Sequence, residues 1–377
     1  MQIYEVKSAG VHPPPLLTQY GIEMISLAQS KDIDAIKYIA DRNKAALGFV
    51  MRPALIEAQQ RSELLVATQD GVVVGFVNYR TLSRIRVGWH TIYEICVDES
   101  ARGQGMGRAL LDAVPRPVRL KCPVDLAANE FYKRYGLLNV WTEQPDNDNK
   151  RALNVWQTQP DIIYCAGGNR RIAEIARAAG MLYGTRHDDT PAFKPYMVDI
   201  NWKRYDWNDY LSKIEAWKPV MAMVPDYETP EHRGRMVRMA CQLVERGVER
   251  VMVCPKFHGA VEHIPDWCVV AVSVPSKYAG FIPDLRTLAG RRVHLLGSSP
   301  QAQMKLAREI AGHGGWVISV DGSNFKLAAS KGTVYQSGRW RTAKRGEAVE
   351  YYKAVTSSVT NIMSQWQQQN AVQLPLL

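Results

Sequence analysis

A strand-like run, TIYEICV (91–97), leads into Arg102-Gly103-Gln104-Gly105-Met106-Gly107 and then into the helix-forming GRALLDAV. Glycines let backbone N–H groups approach an anion closely, and a helix N-terminus adds the positive end of its dipole. The chemistry that such a turn serves is phosphate or pyrophosphate binding, although a glycine turn can also simply connect two elements. Ionisable side chains accompany it. Glu94 sits in the strand ahead of the turn, where alternation sets it opposite Tyr93 and Ile95, so it meets a cleft if those two face the core. His90 is a second candidate base in the same strand, and Tyr132 stands in EFYKRYG further on.

The second half of the chain offers a different set. Short apolar runs there each end in polar residues, delivering Asn169, His187, Asp188, Asp199, Asp226, Lys256, Ser298 and Asp321 to strand ends. One such aspartate also reads as a helix cap or turn residue. Several carboxylates with a lysine at successive strand ends suit a pocket where loops converge.

The elements that must position these residues fall into two rhythms. Up to residue 145 we expect a strand in IYEV, helices in DIDAIKYIADRNKAALG and PALIEAQQRS, and a hairpin about Asp70-Gly71. TIYEICV, RLKCPV and LLNVWTE read as further strands, and ANEFYKRYG as a short helix. Residues 146–160, polar and turn-rich, read as a linker. From 161 to 345, DIIYCAGG, MLYGTRHDD, PYMVDIN, VMAMVPDYE, RVMVCPKFHG, CVVAVSVPS, RVHLLGSSP and WVISVDGSN interleave with helical stretches such as RRIAEIARAAG and QAQMKLAREIAG. Eight near-continuous apolar strands among helices predict a parallel (β/α) TIM-like barrel. Residues 346–377 read as a terminal helix and tail. The fold class is therefore α/β throughout.

Composition narrows the function classes. The chain has 377 residues, 46% hydrophobic, with a formal charge of +10, enough for two ordinary domains. It has no uninterrupted apolar stretch of about 18 residues and no signal-peptide layout at its start, so a cytoplasmic protein without membrane attachment is expected. The cysteines at 96, 122, 165, 241, 254 and 268 show no CxxC or CxC spacing; they read as reduced core residues, with no metal expected. The basic balance fits a polyanionic partner. Two stretches, NWKRYDWNDY (201–210) and YQSGRWRTAKRG (335–346), interleave aromatic and basic residues in a way that suits nucleic acid, or else are surface loops with packed aromatics.

In the order TIYEICV, ARGQGMGRALL, ANEFYKRYGL, the first part resembles the GNAT N-acyltransferase superfamily, over about residues 1–145. The resemblance implies acetyl-CoA or another acyl-CoA as donor, its pyrophosphate gripped by Arg102, Gly103, Gln104, Gly105, Met106, Gly107 and Arg108, with Ile95 and Val97 of the strand beside it. It implies Glu94 as the base that takes a proton from an amine and Tyr132 as the acid near the coenzyme sulfur. Where the common pattern has Asn before xxAxxFY, this chain has Asp125; Asn129, three residues before Tyr132, is the asparagine left to contact the cofactor.

RVHLLGSSPQAQMKLAREIAGHGGWVISVDGSN resembles the late barrel segment of the tRNA-guanine transglycosylase superfamily, which includes relatives acting on phage and bacterial DNA. It implies Asp321 as a nucleophilic carboxylate, with Asp199 or Asp226 holding a base. The family's zinc-binding cysteine cluster is missing. Together the resemblances imply an N-acyltransferase of phage DNA-base hypermodification, with the barrel binding nucleic acid, DNA favoured over tRNA. The alternative is a transglycosylase or glycosylase using Asp321, with the acetyltransferase part auxiliary.

Overall fold

The two-residue turn Asp70-Gly71 needs positive φ at both positions, and it has them, at 52° and 73°. In the computed structural model, which describes residues 24–82, 89–145, 147, 150–201, 203–275, 281–342 and 350–370, this turn joins strands β2 (Leu64–Gln69) and β3 (Val72–Leu82). The strand expected in IYEV lies outside the described residues. The chain divides into two compact units, Met1–Arg80 with His90–Val118, and Thr81–Trp89 with Arg119–Leu377.

In the first unit β1 (Met24–Leu27) pairs antiparallel with β2, and the strand order runs β1-β2-β3-β4, with β4 at Trp89–Val97. Helix α1 (Ile33–Arg42) buries Ile33, Ile36, Ile39 and Ala40, spacings that mark one helical face. It is followed by α2 (Lys44–Leu47), α3 (Arg52–Gln60) and, after the glycine turn, α4 (Met106–Ala113). Ile36, Leu55, Leu64 and Phe76 are fully buried at its centre. Gly75 keeps strands β3 and β4 close, since a Cβ there would meet the Cys96 carbonyl at 2.9 Å.

The second unit begins with β5 (Val118–Pro123), α5 (Ala128–Tyr135), β6 (Leu138–Glu143) and β7 (Leu153–Gln157). β7 lies between β5 and β6, antiparallel to both. The stretch read as a linker thus holds a strand, β7, because composition shows the polar run ahead of it but not the sheet that it joins. β6 also packs on the barrel floor, where the Trp141 ring lies 5.6 Å from the Arg250 guanidinium and 5.0 Å from that of Arg292.

Eight parallel strands close the barrel: β8 (Asp161–Cys165), β9 (Leu182–Arg186), β10 (Met197–Asp199), β11 (Met221–Met223), β12 (Arg250–Val253), β13 (Val269–Ser273), β14 (Arg292–Leu296) and β15 (Trp316–Asp321). All eight runs picked from the sequence are these strands. Burial on both faces explains why they read as continuous apolar segments. Around them stand α6 (Arg170–Ala178), α7 (Trp207–Trp217), α8 (Arg233–Glu245), the short α9 (Ala260–His263), α10 (Pro300–Gly312) and α11 (Asn324–Ser330). A hairpin, β16 (Thr333–Gln336) and β17 (Arg339–Thr342), and the terminal helix α12 (Tyr351–Asn370) complete it. α12 buries Val355, Val359, Ile362 and Trp366 in the core that also holds Tyr335. No described helix is long and apolar enough to cross a membrane.

Both aromatic and basic stretches turn out to be packed in part. Tyr335 is fully buried and bonds to Gln365. Trp207 stacks on buried Tyr210 with centroids 5.2 Å apart, its Nε1 donating to Gln242. Trp202 and residues 343–346 lie outside the described residues.

Candidate functional site

The glycine turn has the backbone its chemistry requires. Gly103 and Gly105 adopt φ of 77° and 84°, and Gly105 is the N-cap of α4 with no side chain capping the first-turn amides. First-turn N–H groups of a helix have no intrahelical partner, and they carry the dipole's positive end. A pyrophosphate fits this cradle. Arg102 is held at the rim, its Nε donating to Val97 O (3.1 Å) and its Nη2 to Asn43 Oδ1 (2.6 Å). Gln104 donates to Ser100 O, Met106 is buried, and Arg108 lies 3.8 Å from Asp112.

Alternation along β4 sets Glu94 opposite Tyr93, and the condition that Tyr93 face the core is not met. Tyr93 is 54% exposed, while Ile92 and Cys96 are buried, so Glu94 shares the buried face and Tyr93 faces outward beside Arg80. Ile95 and Val97 are partly buried. Burial pushes the Glu94 carboxyl above its ordinary value, and the hydrogen bond from Asn78 Nδ2 (2.6 Å) partly offsets this by favouring the charged form. A desolvated carboxylate with one donor is a stronger base than an exposed one. His90 is held down by burial and so stays neutral; among the described residues its buried Nδ1 has no hydrogen bond, and the ring packs edge-on to Tyr79.

In the second unit Tyr132 is 6% exposed on α5 and packs against Trp156. Asn129 requires a correction. Its Nδ2 donates to Pro123 O (2.7 Å) and Leu126 O (2.8 Å), and its Oδ1 accepts from Trp156 Nε1 (2.9 Å) and Asn154 Nδ2 (3.1 Å). That amide ties α5 to β5 and β7, leaving no capacity for a cofactor.

At the barrel's C-terminal rim the predicted residues separate into two groups. Asn169 caps α6 by accepting from Ile172 N. Asp188 is committed to Asn201 and Arg186, which outweigh burial and hold its carboxyl low. His187 is buried and kept neutral, its Nδ1 accepting from Asn201 N. These are turn and cap residues.

Asp199, Asp226, Asp321 and Lys256 form the other group. Burial pushes the Asp199 carboxyl up to about 7, with Asp321 and Asp226 adding repulsion and the Ile200 N–H opposing. Asp226 is raised by burial and pulled back by Lys256, whose Nζ lies 3.2 Å away. Burial works against the Lys256 charge, but Cys254 and Asp226 outweigh it and the ammonium is stabilised; Nζ also donates to Ser273 Oγ (3.1 Å). Asp321 Oδ1 accepts from Gly297 N at 2.8 Å. Beside them Ser298 holds a left-handed φ of 70°, its hydroxyl donating to Pro275 O. Cys165, at the end of β8, is driven far toward the neutral thiol by burial and then by Asp321. Among the described residues no group of His, Cys, Asp and Glu has the makings of a metal site.

The Asp199 shift has a stability consequence. Its folded value exceeds the unfolded one, so between the ordinary carboxylate range and about 7 the unfolded chain gives up the proton first and wild type loses stability as pH rises. Asp199→Asn is expected to flatten that slope, matching wild type near pH 4 and exceeding it near pH 8 by up to roughly 4 kcal/mol. Urea unfolding at both pH values checks this; parallel behaviour of the two proteins would contradict it.

The residues that sequence reasoning missed are Asn78, Gly297, His294 and Ser319. Asn78 is the single amide among apolar neighbours in GFVNYR, and His294 the single polar residue inside RVHLL; each was legible only as an interruption of a hydrophobic strand.

Comparison with known proteins adds two family matches. Residues 176–367 match the family described as "Family of unknown function (DUF6610)", and residues 60–136 match the acetyltransferase (GNAT) domain. An acetyltransferase domain therefore precedes the barrel. Among solved structures the chain is similar to Ard1 from Thermoplasma volcanium, at 25% identity over 35% of this chain and 94% of that one, with a TM-score of 0.31. It is also similar to Arabidopsis thaliana Naa50 in complex with the bisubstrate analogue CoA-Ac-MVNAL, at 18% identity over 36% and 97%, TM-score 0.30. An N-acetyltransferase from Staphylococcus aureus matches at 20% identity over 36% and 96%, TM-score 0.29. No curated protein matches the chain.

Proposed function

The chain belongs to the DUF6610 family of unknown function, and on that premise, with its acetyltransferase domain, we propose that it transfers an acyl group from an acyl-CoA to an amine on a nucleobase or a nucleobase-linked side group. The observation that carries this reading is the glycine turn, whose uncapped first-turn amides offer a pyrophosphate cradle directly after the strand bearing Glu94. When bound, acyl-CoA supplies an activated thioester. Arg102 and the amides of residues 103–108 hold its pyrophosphate. Glu94 accepts the proton that the amine gives up as the new N–C bond forms, and Tyr132 returns one to the sulfur as the C–S bond breaks.

The acceptor is assigned to nucleic acid, DNA ahead of tRNA, on the chain's charge of +10 and on the barrel's resemblance to enzymes of base modification, a setting that includes phage DNA hypermodification. The barrel binds that substrate. Mass spectrometry of nucleosides from cells with and without the protein tests this reading: a new acylated nucleoside supports it, and an unchanged profile removes it.

A second reading is favoured by the gathering of Asp199, Asp226 and Asp321 at the rim, where one carboxyl retains its proton near neutrality while another takes a backbone N–H. In it the barrel breaks or exchanges an N-glycosidic bond through Asp321, with the acetyltransferase domain auxiliary. A carboxylate suits such a step because it stabilises positive charge developing on the sugar.

A further inference from the structure

Strands β14 and β15 do not pair evenly. Val293 faces Val317, but a register shift follows, and His294 faces Ser319 rather than Ile318. A bulge of this kind re-aims side chains. Here it places three polar residues in line: His294 Nδ1 is 2.7 Å from Ser319 Oγ, and His294 Nε2 is 3.5 Å from Asp321 Oδ1. His294 and Ser319 are fully buried. Among the described residues Nε2 makes no hydrogen bond within the usual limits, and the Asp321 carboxyl lies 3.5 Å from it.

The surroundings fix the carboxylate as well. Oδ1 accepts from Gly297 N at 2.8 Å, and Gln303 Nε2 donates to both Gly297 O (2.7 Å) and Asp321 O (2.6 Å), tying the two strand ends together. Among the described residues Oδ2 takes no hydrogen bond, and Asp321 is 13% exposed. The titratable groups that sense its charge are Asp199 and Cys165.

We propose that His294 is a positioning residue for Asp321: Ser319 donates its hydroxyl proton to Nδ1, which leaves the ring proton on Nε2, directed at the carboxylate. The other tautomer would set a lone pair against a negative oxygen, so the carboxylate selects the tautomer and the Ser319 hydroxyl satisfies Nδ1 in it. With Gly297 N–H and Nε2–H on one side, the Asp321 carboxyl is oriented, with Oδ2 left for a ligand. The ligand chemistry this selects is a group that carries or develops positive charge, or that presents an N–H or O–H donor. The proposal rests on the second reading above, in which Asp321 is a reacting carboxylate.

The test is a ¹³C-carboxyl NMR titration of Asp321 in the full-length protein, its resonance assigned by its loss in Asp321→Asn. His294→Phe should raise the Asp321 midpoint by about one pH unit, a tenfold gain in proton affinity, and His294→Gln, whose amide can donate, should recover at least half of that. Ser319→Ala should give a smaller rise, and it carries the test alone if His294→Phe fails to fold. An unchanged midpoint in folded His294→Phe, or in Ser319→Ala where only that variant folds, overturns the positioning role. Failure of the underlying reading shows separately, as normal nucleic-acid modification by Asp321→Asn.

Discussion

Glu94→Gln is expected to lower kcat for acyl transfer by roughly 10²- to 10⁴-fold, the usual contribution of a positioned general base, while leaving KM for the acyl-CoA within about twofold. The asymmetry follows from placement. The pyrophosphate cradle is made of amides in residues 103–108, so donor binding does not pass through the β4 carboxyl. Glutamine keeps the volume and can still pair with Asn78, which now donates to Glu94 at 2.6 Å, so the strand should hold. The pH profile gives a second reading of the same group. Only the ionised carboxyl accepts a proton, and burial raises its folded value, so the wild-type rate should climb with pH through a midpoint above the ordinary carboxylate range. That limb should vanish in Glu94→Gln. Initial rates across about pH 5 to 9 check both points, and near-wild-type turnover with the acid limb intact would remove Glu94 from the mechanism.

The largest expected loss of stability lies at the opposite end of the barrel from the rim carboxylates. Asp161 and Arg250 are 0% and 1% exposed at the starts of β8 and β12, with Nη1 to Oδ2 at 2.9 Å, and Tyr196 OH donates to the same oxygen at 2.6 Å. Taking two charges out of water is costly, and here the pairing, the tyrosine and the Trp141 ring beside the guanidinium recover it. Asp161→Asn strands the arginine charge in a dry interior. A loss of about 3–5 kcal/mol is expected, read as a lower urea midpoint with little change in slope. Adding Arg250→Met should restore most of it, because removing both charges removes the desolvation penalty too. A loss below about 1 kcal/mol in the single variant would mean that water or another group reaches the guanidinium. The two ends of the barrel thus carry different burdens: the buried Asp161–Arg250 pair braces the floor, whereas the rim keeps carboxyls against their electrostatic preference.

Much of the architecture was legible because it rests on burial. A parallel strand covered on both faces must be apolar along its length, so DIIYC and VVAVS announced themselves, and Asp70-Gly71 signalled its hairpin through backbone sterics. What stayed hidden depends on neighbours distant in sequence. LNVWQ reads like any short strand, and only pairing reveals that β7 slips between β5 and β6. Alternation correctly opposed Glu94 to Tyr93, yet it could not say which face was buried, because the answer lies in what covers β4. Asn129 looked like a cofactor ligand for the same reason: its side-chain hydrogen-bond partners come from segments up to 27 residues away. The His294 relay needed a bulge, a feature that no hydrophobic pattern announces. At the rim, the sequence brought Asp188 and Asn169 forward with Asp199 and Asp321, and only their partners separate the cap and the ion-paired turn residue from two carboxyls that each accept a backbone N–H.

Under the proposed function the acyl group passes from the coenzyme to a nucleobase-linked amine. Incubating the purified full-length protein with acetyl-CoA labelled on the acetyl carbon and with DNA, then digesting to nucleosides and separating them by mass, tests it most directly. A labelled nucleoside is expected whose appearance depends on Glu94, formed by wild type and lost in Glu94→Gln. Consumption of acetyl-CoA with label only on small amines or protein, and none on nucleosides, would contradict it.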